Sequence, residues 1–274
     1  MTNRVHLFGM EIDPLTMDEA LSSIDNWITQ RDGACRYAVT PNVQHSVLVQ
    51  EHVGLRAAYA DAGLVLADGL PVVLASRLLN RRLPGRVAGS DLVPALFASA
   101  SADRPLRVFL LGAAPGVATR AAAHMAQRWP AVKTVGTYSP PLGFEFNDQE
   151  NAHILKLVEA AAPDVLVIGL GAPKQELWVH RHRQQIAAPV ALCVGATIDF
   201  LAGEKRRAPQ WMQRAGLEWL HRCASEPRRL ARRYARDAVI FPQLVWRQWR
   251  SQRAGTPTRA RSASEGLQAQ ARGG

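Results

Sequence analysis

Only three cysteines occur in the 274 residues, Cys35, Cys193 and Cys223, an odd number without metal-type spacing. That excludes a disulfide framework and points to a reducing compartment. No H-x-x-x-H, C-x-x-C, Walker A or G-x-S-x-G pattern is present, which removes zincin, dithiol, P-loop and serine-hydrolase chemistry. His180 and His182 stand at i, i+2 on an expected helix, where their rings diverge, so they make a poor metal pair. No D-x-D pair offers to hold a divalent cation beside a nucleotide diphosphate. No apolar run approaches the ~18 residues of a membrane span, and Met-Thr-Asn-Arg-Val-His lacks a signal-peptide core. The expectation is a cytoplasmic chain that touches a membrane only at its surface.

What is present is unevenly spread. Residues 1–203 hold 17 Lys/Arg against 18 Asp/Glu, whereas residues 204–253 hold 13 against 4, so nearly all of the net charge of +10 belongs to one segment. An anionic partner is therefore expected there and not over the body.

The richest stretch runs from Pro163 to Pro209. Val165–Ile168 reads as a buried strand entering Gly169-Leu-Gly171, and a helix opens on Lys174-Gln175-Glu176. Val190–Val194 is a second apolar strand, ending on Gly195 and leading to Thr197 and Asp199. Ordinary βα turns explain the glycines but leave the polar clusters at these strand ends unexplained. Earlier in the chain, Val5–Met10 reads as one strand, and Thr16 with Glu19 as a capping box for a helix with an apolar stripe. Tyr37–Thr40 is a strand ending at Pro41-Asn42, and Leu64–Ala67 is another, stopping at Asp68. Residues 77–91 form an arginine-rich connection that is flexible or able to hold phosphate. Leu106–Leu111 precedes Gly112-Ala-Ala-Pro-Gly116 and a helix over 117–128, followed by a strand at Val132–Thr137 and a helix over 148–161. G-x-x-x-G is only half of a dinucleotide fingerprint, and no acidic residue ends the next strand. A nucleotide-dependent oxidoreductase is thus the weaker alternative.

Alternating strands and helices predict an α/β, Rossmann-like body over 1–203, its largely parallel sheet covered on both faces. Right-handed crossovers place all strand C-termini on one edge, gathering Thr40, Asn42, Asp68, Gly112, Gln175 and Asp199. After Pro209 the composition changes, and 204–250 reads as a basic helical appendage. Arg229, Arg232, Arg233 and Arg236 share one helical face, with Leu230, Tyr234, Phe241, Val245, Trp246 and Trp249 around the other. Such a helix suits a membrane surface, where Phe241, Trp246 and Trp249 would rest at headgroup level. Residues 251–274 have almost nothing to bury and read as a disordered tail. Nucleic-acid binding would explain the arginines but would leave the strand-end residues idle.

Several pieces resemble the WecG/TagA/CpsF glycosyltransferases (glycosyltransferase family 26) over about residues 5–250. They are Thr40-Pro-Asn42, Asp68-Gly69, Arg86-Val-Ala-Gly-Ser-Asp91, Gly169-Leu-Gly-Ala-Pro-Lys-Gln-Glu176, Gly195-Ala-Thr-Ile-Asp-Phe200 and Leu217-Glu-Trp-Leu-His-Arg222. The resemblance implies an inverting, metal-independent transfer without a cofactor. The sugar, N-acetylmannosamine, its uronic acid or glucose, would move from a UDP-sugar to a polyprenyl-diphosphate-linked saccharide. The place would be the inner face of the plasma membrane, during surface-polysaccharide or exopolysaccharide assembly, with anionic lipid and no nucleic acid as partner and a homo-oligomer left open. It further implies Asp68 as general base, Thr40, Asn42 and Gln175 as active-site polar residues, and Arg86 as a site arginine, while Gly112 and Asp199 are expected on the substrate side from their place on the gathered strand-end edge. Arg222, Arg229 and Arg232 would join them from the appendage. Leu70-Pro71 departs from the glycine common at that point of the family, which bears on loop shape.

Overall fold

The computed structural model describes residues 4–214, 216–225 and 227–254, without the side chains of 210, 214, 225 and 227–229. The expected tail lies outside them from residue 255 onward. The chain opens with a hairpin, β1 (Val5–Leu7) and β2 (Met10–Ile12), paired antiparallel. One strand over Val5–Met10 was the expectation; a turn at Phe8-Gly9 divides it, with Gly9 at φ +82°. Helix α1 (Met17–Gln30) follows with the Thr16–Glu19 capping box formed as read. Next come β3 (Arg36–Val39), α2 (Val43–Glu51), α3 (Val53–Ala60), β4 (Leu64–Val65), α4 (Leu70–Leu78) and α5 (Gly89–Ala98). The second half supplies β5 (Leu106–Gly112), α6 (Val117–Arg128), β6 (Val132–Tyr138), α7 (Asp148–Ala161), β7 (Val165–Gly169), α8 (Lys174–His182), β8 (Val190–Cys193) and α9 (Thr197–Leu201). Three further helices end the described chain, α10 (Gln210–Arg214), α11 (Glu218–Ser225) and α12 (Pro227–Arg253).

Six strands form one parallel sheet in the order β4-β3-β8-β7-β5-β6. The stretch singled out in the sequence thus forms its centre, because β7 and β8 pair with each other and join two outer pairs made earlier in the chain. Both are buried on both faces, which explains why they read as unbroken apolar runs. Their side chains alternate between two cores. Leu166, Ile168, Ala191 and Cys193 face one, while Val165, Val167, Val190 and Leu192 face the other.

The C-terminal helix corrects one expectation. Phe241 is buried and meets Phe8 edge to face, ring centroids 5.1 Å apart, and Trp249 packs against the same core. Gln248 fixes the register, accepting from the Phe8 N–H and donating to the His6 carbonyl, each at 2.9 Å. Arg236, on the basic face of that helix, pairs with Glu51 at 2.5 Å. Most of the apolar stripe of α12 therefore covers protein, and Trp246 is the tryptophan left exposed.

Candidate active site

The parallel sheet brings the ends of β3, β4, β5, β7 and β8 to one edge. At its floor the backbones approach without side chains: a Cβ at Gly112 would lie 2.6 Å from the Gly169 carbonyl oxygen, and one at Gly169 2.9 Å from that of Gly195. Gly112 also adopts φ +116°, a conformation open to glycine. Its role is to let the strand ends close up.

Over this floor lies a buried polar layer. Thr40 Oγ1 donates to the Cys193 carbonyl at 3.3 Å. Asn42 caps α2, its Oδ1 accepting from the N–H groups of Gln44 (3.0 Å) and His45 (3.4 Å). His45 Nδ1 is 2.9 Å from the same Oδ1, and its Nε2 is 3.5 Å from Glu176 Oε1. Gln175 donates to Glu176 Oε1 at 2.7 Å and accepts from the Gly195 N–H at 3.2 Å. Two expected site residues, Asn42 and Gln175, are therefore tied together, and the tie passes through His45 and Glu176. Glu176 was visible only as part of a motif. The signal for His45 was its place three residues after the capping Asn42.

Asp68 stands apart from that layer. Its backbone N–H donates to the Pro41 carbonyl at 2.8 Å, which hangs it beside the β3 end. Among the described residues no hydrogen bond or ion pair engages its half-buried carboxylate. Desolvation pushes its pKa up to about 6; Arg86, His45 and Arg222 pull it down and Glu218 pushes it up. A carboxylate tuned near neutrality and left free to accept suits a general base.

Arg86 is clamped between Asp91 (2.7 Å) and Glu218 (3.0 Å), and Asp91 also holds Arg207 at 2.7 Å. Glu218 and Arg222 are one helical turn apart on α11, so the pair that anchors this helix also brings Arg222 within electrostatic reach of Asp68. Glu218 is a further residue whose part the sequence reading missed. Asp199 lies elsewhere on the edge, its Oδ2 3.7 Å from Lys205 Nζ and its carbonyl closing the turn at Glu204. Arg232 is exposed on α12, and the side chain of Arg229 falls outside the described residues.

A carboxylate free to accept, within reach of guanidinium groups at the carboxyl edge of a Rossmann-like sheet, suits a glycosyltransferase. The model of the family described as "Glycosyl transferase WecG/TagA/CpsF family" matches residues 5–255, and the chain belongs to that family. The oxidoreductase alternative falls with it. Among curated relatives, the N-acetylglucosaminyldiphosphoundecaprenol N-acetyl-beta-D-mannosaminyltransferases of Staphylococcus aureus strains MRSA252 and MW2 are each 28% identical over 231 residues, which covers 84% of this chain and 88% of theirs.

Proposed function

We propose that this glycosyltransferase moves a sugar from a UDP-sugar to a polyprenyl-diphosphate-linked saccharide, with inversion, without a metal ion, at the inner face of the plasma membrane during surface-polysaccharide assembly. Of the three sugars expected, the relatives' names favour N-acetylmannosamine, placed on an N-acetylglucosaminyl diphosphate lipid. The observation that carries the reading is the Asp68 carboxylate, poised near pH 6 beside Arg86 and Arg222.

An acceptor hydroxyl is a weak nucleophile. Asp68 takes its proton as the oxygen attacks the anomeric carbon from the face opposite the diphosphate, a contribution of roughly 10²–10⁴-fold. The bond from that carbon to the β-phosphate oxygen breaks, and its electron pair leaves with UDP. Arg222, with Arg229 and Arg232 from the same appendage, would meet that charge bidentately, and Arg86, held by Asp91 and Glu218, would add its positive charge nearby. Direct displacement needs one base and no second carboxylate nucleophile. The absence of a D-x-D pair in the sequence supports charge neutralisation by guanidinium groups.

The test is transfer from UDP-N-acetylmannosamine to a short-chain N-acetylglucosaminyl diphosphate lipid in excess EDTA, with the product anomer assigned by NMR. Inverted product at an undiminished rate is expected. Activity abolished by EDTA and restored by Mg²⁺ would overturn the metal-independent part of the reading, and transfer only from another donor would overturn the choice of sugar.

A further inference from the structure

The arginine-rich connection after α4 takes no part in the site described above, apart from Arg86. Residues 69–90 contain four arginines and no carboxylate. Arg86 is held by Asp91 and Glu218, but Arg77, Arg81 and Arg82 are exposed, and among the described residues their side chains form no hydrogen bond or ion pair. Arg77 and Arg82 line a surface cleft of about 560 Å³ with Leu83 and Pro84.

Apolar side chains accompany these cations. Leu70, Leu74 and Leu78 recur every fourth residue and so share one stripe of α4. Leu70 is covered, since the backbone of Gly216 lies against it and a Cβ there would be 2.9 Å from Leu70 Cδ2. Leu74 and Leu78 continue the stripe into solvent, 51% and 64% exposed. The segment that covers Leu70 also exposes Trp211 and Trp219 on its two short helices.

We propose that the outer face of α4 and the loop after it form the contact with an anionic phospholipid bilayer, Leu74 and Leu78 entering the headgroup boundary and Arg77, Arg81 and Arg82 binding lipid phosphates. Charge selects the occupant: leucines flanked by three unpaired guanidinium groups complement an anionic lipid surface, whereas an equally cationic second copy of this chain would be repelled. The fold gives the choice a purpose. Helix α4 begins two residues after Asp68, so a bilayer along Leu74 and Leu78 lies beside the mouth of the site. A lipid-linked acceptor could then reach Asp68 without leaving the membrane. This inference deepens the proposed function and rests on its lipid-linked acceptor.

Sedimentation with phosphatidylglycerol/phosphatidylcholine vesicles tests it, with transfer to a water-soluble short-chain acceptor measured in parallel. The parent protein should bind these vesicles and not pure phosphatidylcholine. Arg77→Glu with Arg82→Glu, and separately Leu74→Ser with Leu78→Ser, should each weaken binding at least about tenfold while soluble transfer stays within about twofold. These positions are exposed, and an unchanged melting temperature confirms an intact fold. Vesicle binding by both double variants equal to that of the parent would overturn the proposal. So would a parent dimer that Leu74→Ser with Leu78→Ser converts to monomer, because the face would then belong to a second copy. If the parent binds vesicles as expected and the variants do not, yet no soluble transfer occurs, the lipid face stands and the proposed reaction fails.

Discussion

At Asp68 burial pushes the pKa up while the neighbouring cations pull it down, and their balance makes both the proposed reaction and the stability depend on pH. Replacement by Asn should leave the fold intact and lower turnover at least about 10²-fold, as removal of a general base does. Because the folded-state pKa is about 6, activity should rise with pH through a limb near that value. The linkage has a definite sign. A carboxyl held above its ordinary value near 4 binds its proton more tightly in the folded chain, so its stabilising contribution is complete below about pH 4 and lost as pH rises through 6. The melting temperature of Asp68→Asn should therefore gain on that of the parent between pH 4 and 6, measured by calorimetry. The neighbours give opposite shifts of the activity limb in pH profiles of kcat/KM. Arg86→Ala should move it to higher pH, since Arg86 lowers the Asp68 pKa, and Glu218→Gln should move it lower. A shared direction would mean that the clamp acts by position and not by charge. Asp68, Asn42 and Gln175 were legible because polar groups after buried strands stand out. The tie through His45 and Glu176 was not, because pairing across α2 and α8 depends on how two helices seat against each other.

Among the elements, α12 shows what periodicity reveals and what it conceals. The alternation of arginine with aromatic residues identified an amphipathic helix, but an apolar stripe does not say whether lipid or protein covers it. Phe8, carried by a hairpin turn that the sequence reading merged into one strand, is what Phe241 meets. Phe241→Ala should therefore destabilise the protein by about 3–5 kcal/mol in chemical denaturation, the usual cost of emptying a buried aromatic site. The sequence marks 1–203 as a body of its own, and truncation after Gly203 tests whether it stands alone. It would strip Leu230, Phe241 and Leu244 from the core, so a lowered melting temperature should accompany any lost activity. Arg222→Ala separates the two effects, since it should cut transfer while leaving the melting temperature unchanged. On α11 the repeat of Glu218 and Arg222 one turn apart was visible, but the partner Arg86 lies 132 residues away in sequence.

At the scale of the whole molecule, the alternation of strands and helices was enough to predict a parallel sheet with its polar ends on one edge. The order of the strands was not legible, because it depends on which crossovers turn back and which run outward. That order puts the last two strands of the chain between pairs completed long before. Until Val190–Cys193 has left the ribosome, β3 keeps one bare edge, and β5 waits likewise for Val165–Gly169. The two half-sheets cannot be joined stepwise as they emerge, and long-range parallel pairing of this kind is slow. A fragment ending at residue 162 should accordingly be recovered in the insoluble fraction, with unpaired parallel edges on both halves. The segment that carries Gln175 and Glu176 is also the keystone, so a ribosome that stalls early releases two unjoined pieces of sheet.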